Sequence, residues 1–316
     1  ILDFVGQCNK QFNFRTKLRS IIGKTNDSIE DEVENDFPTL PKGCFIQLEK
    51  KAKEYILSNI KETYINKNNL RRMIRNYKHE TNRPLTLSNF LRHYNLETWQ
   101  IYKTTSFYEL CHIENIEREY IVKDKNDLNV SLKKVMDINS LKLIEFLINY
   151  LEREVYTFDD LNKEEKIMLI MFHYTVWKDS PNGDLIYYLN KLKRDNISMF
   201  KEIIELLKYN RDNIDFIEKD IELGYTCPLE MYSRYSTDQI LAAMEVHTID
   251  NKKSFREGVL YIEEKDTDLL FITLNKSEKY FTSTTQYEDY AISEKLFHWQ
   301  SQSRTSDTSP TGQRYI

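Results

Sequence analysis

The stretch LRRMIRNYKHETNR sets Arg71, Arg72, Arg75, Lys78 and Arg83 against a single carboxylate, Glu80. On a helix, Arg71, Arg75 and Lys78 fall on one face, an arrangement suited to following the phosphates of a nucleic acid. A solvated helix face explains the same residues about as well, because 30% of the chain is charged. A second group lies near the end of the sequence. LFHWQSQ alternates, which puts His298, Gln300 and Gln302 on one face of a strand and Phe297 and Trp299 on the other. Arg304 and Arg314 flank that strand, and seven of residues 301–311 are Ser or Thr. Amides, an imidazole and guanidinium groups suit phosphates and base edges. Periodicity alone favours the plainer alternative, a polar strand face beside a hydroxyl-rich loop.

Other chemistries do not close. Gly23, Lys24 and Thr25 resemble the end of a phosphate-binding loop, but Leu18 stands where that loop needs its first glycine. A metal-dependent nuclease needs clustered carboxylates with a lysine. Glu257 or Asp268 with Asn275 and Lys276 comes nearest, and the amide of Asn275 sits where a second carboxylate belongs. His298 has no identifiable nucleophile or carboxylate partner for general-base work. Cys8, Cys44, Cys111 and Cys227 lie far apart without a CxxC pair, which reads as free thiols in a cytosolic protein. No catalytic residue, metal ligand or bound cofactor is therefore assigned to this stretch of chain.

The elements that must position these groups follow from composition and periodicity. A chain of 316 residues is long enough for about two domains. At 40% hydrophobic and 13% aromatic it has ample apolar surface to offset ordering entropy. A formal charge of −5 leaves no global electrostatic argument for nucleic acid, so any such site is a local patch. No apolar run approaches the roughly 20 residues that a bilayer crossing needs, so no membrane association is expected.

The acidic run NDSIEDEVENDF reads as a solvated face, and FPTLPKG after it reads as extended because of its prolines and Gly43. Residues 17–48 are therefore expected to form an extended connector. A helical domain is expected over 49–224. In it Leu141, Ile144, Leu147, Ile148, Leu151 and Val155 form one stripe, Asn162 and Glu165 a capping box, and Ile167 to Trp177 a central helix. SPNG at 180–183 reads as a turn. From 225 to 316 the period changes. Ser236 and Gln239 start a helix, then GVLYI and LLFITL read as two strands around EEKDTD. The fold class is α+β: a mainly helical N-terminal and middle region, then a small α+β domain with a partly antiparallel sheet. Because ILDFV opens and QRYI closes on strand-like residues, the sequence reads as cut at both ends, its last domain truncated at the C-terminus.

SRYSTDQILAAM, REGVLYI, FITLNKSEKYFTSTTQYEDYAI and LFHWQSQSRTSDTSPTGQRYI resemble a C-terminal domain of unknown function. That domain is attached to bacterial DEAD/DEAH-box superfamily 2 helicases. ILDFVGQCNKQFNF and FPTLPKGCFIQLEKKAKEYIL resemble the segment after the last helicase motif of the same proteins. The resemblance implies that residues 1–16 are the tail of a RecA-like motor domain. ATP and Mg would then belong to the upstream motor domains of the parent. It further implies DNA as partner, a cytoplasmic location and a role in DNA restriction or phage defence. Two other readings stand beside it: a protein-interaction module that docks a nuclease or defence partner, and an unrecognised nuclease.

Overall fold

The computed structural model describes residues 14–22, 28–40, 45–62, 65–116, 119–214, 219–221, 223–255, 258–271, 290–293, 296–299, 308 and 310–315. The chain divides into two compact units, Ile1–Lys252 and Lys253–Ile316. Among the described residues it is mainly helical, with three two-stranded antiparallel sheets toward the C-terminal end, in agreement with the expected fold class.

The first unit opens with α1 (Phe14–Ile22), α2 (Ile29–Glu34) and α3 (Lys50–Glu62). Phe14, Leu18, Ile29, Val33, Phe37, Ile56 and Ile60 from these segments share one buried cluster. Leu18, the residue that breaks the phosphate-loop pattern, is thus a core residue of a helix. The acidic run is not simply a solvated face. Ser28 Oγ accepts the Asp31 N–H at 3.0 Å and the Asp31 carboxylate accepts the Ser28 backbone N–H at 3.3 Å, so a capping box starts α2 there. Ile29 and Val33 then turn inward, and Glu30 and Glu32 are buried with them. Glu32 Oε1 accepts the Thr39 hydroxyl at 2.7 Å. The connector expected over 17–48 is accordingly helical where it is described up to Glu34. Pro38 breaks a helix only where it stands, beyond that residue.

The body of the unit holds α4 (Lys67–Glu80), α5 (Leu87–Tyr94), α6 (Thr98–Tyr102) and α7 (Phe107–Ile113), then α8 (Lys125–Val135) and α9 (Leu141–Leu151). After these come α10 (Lys163–Val176), α11 (Leu185–Asp195) and α12 (Ile197–Asp212). The capping box of Asn162 and Glu165 forms, and α10 is buried on nearly every side, from Ile167 to Val176. Ile144, Leu147, Ile148 and Leu151 of α9 are buried as their spacing predicts, but the helix stops at Leu151 and leaves Val155 73% exposed. Arg19, Glu80 and His93 meet where α1, α4 and α5 approach: the Arg19 Nε to Glu80 distance is 3.7 Å and the His93 Nε2 to Glu80 distance is 3.3 Å.

α12 packs against α5, α7, α8, α9 and α11. Its Glu202, fully buried, accepts the N–H groups of Phe107 at 2.6 Å and Tyr108 at 3.1 Å, while Ser106 Oγ accepts that of Glu109 at 3.0 Å. The first three backbone donors of α7 are thereby satisfied. One turn along, Glu205 Oε1 accepts the Leu87 N–H at 2.7 Å, at the start of α5.

The unit ends with β1 (Lys219–Asp220) paired to β2 (Glu230–Met231), and with α13 (Thr237–Ala243). The capping box of Ser236 and Gln239 forms. α13 packs on α10, where Gln239 Nε2 donates to Thr175 Oγ1 at 2.9 Å. The Glu230 carboxylate accepts the Ser140 hydroxyl at 2.7 Å, beside the first turn of α9. The compact units therefore divide after Lys252, whereas the change of period lies near 224: α13 has its own local start signal but buries its apolar face on the helical body.

The second unit contains β3 (Val259–Ile262) and β4 (Thr267–Leu270), antiparallel around a 3-10 turn at Glu263–Lys265. β5 (Tyr290–Ser293) and β6 (Leu296–His298) form another hairpin, and α14 (Pro310–Tyr315) closes the described chain.

Candidate nucleic-acid interface

α4 forms because Leu70, Met73, Ile74 and Tyr77 supply a buried stripe and Asn66 caps its start by accepting the Asn69 N–H at 2.9 Å. Burying that stripe leaves Lys67, Arg71, Arg75 and Lys78, at steps of four, four and three residues, along one neighbouring face. At 1.5 Å per residue these four cations extend over about 16 Å. That is about five nucleotide steps of one strand at 3.4 Å each.

The cations are held at the seam where α4 meets α7. Glu114, just past α7 and only 5% exposed, takes both Arg71 and Arg75: the Arg71 Nε approach is 2.5 Å and the Arg75 Nε approach is 3.0 Å. Glu109, in the first turn of α7, takes Lys67 at 2.8 Å and Lys125 at 3.2 Å. Burial alone would raise the Glu109 carboxyl, but Lys67 and Lys125 outweigh it and hold the group below the usual carboxylate range. Four cations thus share two carboxylates, leaving an excess of two positive charges, and the exposed Lys78 adds a third. Arg71 and Arg75 remain 39% and 59% exposed while each is anchored through Nε. A guanidinium has five N–H donors in a fixed fork, so anchoring by one edge orients the rest without consuming them. Such a row can meet a run of phosphates with little loss of side-chain freedom.

Arg71, Arg75 and Lys78 are therefore brought together on α4. Lys67 was readable from the same spacing, four residues before Arg71, and extends the row. Lys125 was not, because it reaches Glu109 only through the packing of distant segments.

The second expected group is described in part, within the second unit. His298 lies at the end of β6, opposite Tyr290 of β5, and the two rings stack with centroids 4.6 Å apart. Arg314 belongs to α14, where it makes a two-pronged contact with Asp268 of β4 at 2.9 and 3.0 Å. Its guanidinium also sits 3.4 Å from the centre of the Tyr261 ring. This binds α14 to the β3–β4 hairpin and commits much of the Arg314 donor set inside the unit. Gln300, Gln302 and Arg304 lie outside the described residues, as do Glu257, Asn275 and Lys276 from the nuclease pattern. Asp268, the described member of that pattern, faces Arg314, and among the described residues no group of three or more His, Cys, Asp or Glu is placed to hold a metal ion. No helix among them is long and apolar enough to cross a membrane.

Residues 229–316 match the family described as Domain of unknown function (DUF3427). The matched segment starts beside β2 and includes α13, so it contributes residues 229–252 to the first unit and all of the second. No curated protein and no solved structure matches the chain.

Proposed function

We propose that this chain is an accessory nucleic-acid-binding region of an ATP-dependent DEAD/DEAH-box superfamily 2 helicase that acts in DNA restriction or phage defence. The observation that carries the binding part is the row Lys67, Arg71, Arg75 and Lys78, whose cations outnumber the two carboxylates that orient them. Its affinity is directed at the sugar–phosphate backbone, and sequence discrimination is left to other groups. The link to a helicase motor rests on the residue resemblances at both ends of the chain, with the match of residues 229–316 to a domain of unknown function in support of the C-terminal one. In this reading ATP and Mg serve the upstream motor domains, DNA is the partner of the chain described here, and the protein works in the cytoplasm.

The test is DNA binding by anisotropy across a salt series. Wild type should lose affinity with salt, at a slope of about −0.9 per phosphate contacted on duplex. Arg71→Gln with Arg75→Gln should weaken binding and flatten that slope by about one to two contacts. An unchanged slope would dismiss the α4 row.

A second reading has one observation in its favour. Tyr290, Ile292 and Leu296 on the β5–β6 hairpin are 48%, 55% and 56% exposed, and such apolar groups suit the docking of a protein partner. Capture of a nuclease or defence protein that Leu296→Asp abolishes, without DNA affinity in the isolated chain, would favour it.

A further inference from the structure

Between α8, the end of α10 and α11 lies a cleft of about 160 Å³, lined among others by Asp127, Lys134, Trp177, Lys178, Asp179 and Tyr188. A hollow of about 100 Å³ shares Asp127, Trp177 and Tyr188 and continues it toward Lys191 and Asn196. The α4 row contributes nothing to it.

The aromatic wall is fixed in place. Trp177 caps the end of α10, its N–H donating to the His173 carbonyl at 2.7 Å. Its ring stacks on His173 at 4.9 Å and meets Tyr188 edge-on at 5.4 Å. His173 Nε2 lies 2.9 Å from the Asp179 carbonyl, which assigns the ring proton to that nitrogen. Burial lowers His173 to about 4, so the ring behind Trp177 is neutral at pH 7.

The opposite character comes from lysines. Lys134 is partly buried and makes no ion pair among the described residues. Burial lowers it below the usual lysine range; Asp238 opposes that shift, and Lys252 and Lys178 add to it. Lys178, exposed on the rim, likewise makes no ion pair among the described residues. A half-buried ammonium beside a second cation is stabilised by an incoming anion, and a fixed indole and phenol offer flat apolar surface beside it.

We propose that this cleft binds one nucleotide unit, with its base against Trp177 and Tyr188 and its phosphate on Lys134 and Lys178. Stacking on aromatic side chains tolerates every base because each has a π-face. Asp127 adds a preference, since a carboxylate accepts from the exocyclic amine of a base such as cytosine and accepts nothing from thymine at that position. A free nucleotide and an unstacked position of a single strand present this same chemistry.

The experiment titrates the full chain with cytidine 5′-monophosphate, a 5′-phosphorylated trideoxycytidine and inorganic phosphate, using calorimetry together with tryptophan fluorescence. Saturable binding of a nucleotide is expected, with the fluorescence change lost in Trp177→Phe. Lys134→Gln and Lys178→Gln should each weaken binding roughly tenfold, and inorganic phosphate should compete far less well. Lys133→Gln, an exposed lysine of α8 that does not line the cleft, should leave these titrations unchanged. Tighter Lys134-dependent binding of the trinucleotide identifies a strand as the source, and tighter binding of the monophosphate identifies a free nucleotide. Absence of saturable binding, binding that survives both lysine changes, or equal competition by phosphate would overturn the proposal.

Discussion

Glu202 Oε1 accepts the Phe107 N–H at 2.6 Å, across 95 positions of sequence. A fully buried carboxylate is costly unless it is well bonded. Here burial prevails over its donors, Tyr108 and Phe107 among them, and raises the group to about 7.

That shift fixes the sign of a pH effect. The folded state holds the Glu202 proton more tightly than the unfolded chain does, so this residue's contribution to stability is present below the ordinary carboxylate range and is lost as pH rises toward about 7. Glu202→Gln removes the titration. Denaturant unfolding at a series of pH values should show the variant gaining on wild type between about pH 4.5 and 7. A constant difference across that interval would mean that Glu202 does not titrate there.

Glu114 restrains two guanidiniums at once, so its removal separates two roles for them. Glu114→Gln deletes the negative charge from the α4 row and should strengthen DNA binding a few-fold at low salt, with a steeper salt slope. The ion pairs are partly exposed, so the stability cost should stay within about 1 kcal/mol. Weaker DNA binding in a well-folded variant would show that orientation of Arg71 and Arg75 outweighs their charge.

Glu230 should hold the start of α9. Its carboxylate takes the Ser140 hydroxyl at 2.7 Å and the Lys142 N–H at 3.3 Å, so Glu230→Ala strands buried polar groups. The expected loss is about 1–3 kcal/mol in urea unfolding of the first unit. Stability equal to wild type would place those bonds in solvent.

Arg314 is expected to act within its own unit. Arg314→Gln and Asp268→Asn should each speed amide hydrogen exchange in Pro310–Tyr315 while leaving α9 and α10 protected as before. If Asp268→Asn instead raised DNA affinity without loosening α14, Arg314 would belong to the binding surface.

Local signals were the legible ones. The capping boxes of Asn162 with Glu165 and of Ser236 with Gln239 each span four residues, and the all-round apolar α10 announces its burial without any partner being known. The α4 row was legible as a face, since helical spacing alone aligns Arg71, Arg75 and Lys78. Its restraint by Glu109 and Glu114 was hidden, because it depends on α7 lying against α4. The acidic run misled for the same reason: its carboxylates look solvated until Ile29 and Val33 carry Glu30 and Glu32 into a core. Trp177 was expected only as the end of a central helix, and the placement of α8 and α11 gives it a cleft to line.

Two carboxylates one turn apart on α12 hold the leading ends of α5 and α7. A load applied to either of those helices is therefore passed to the same strut, and neither can slide along it without breaking a short bond to its own backbone. That makes this part of the helical body a lever: a displacement delivered to α5 is passed through α12 to α7 and to the cations seated against it.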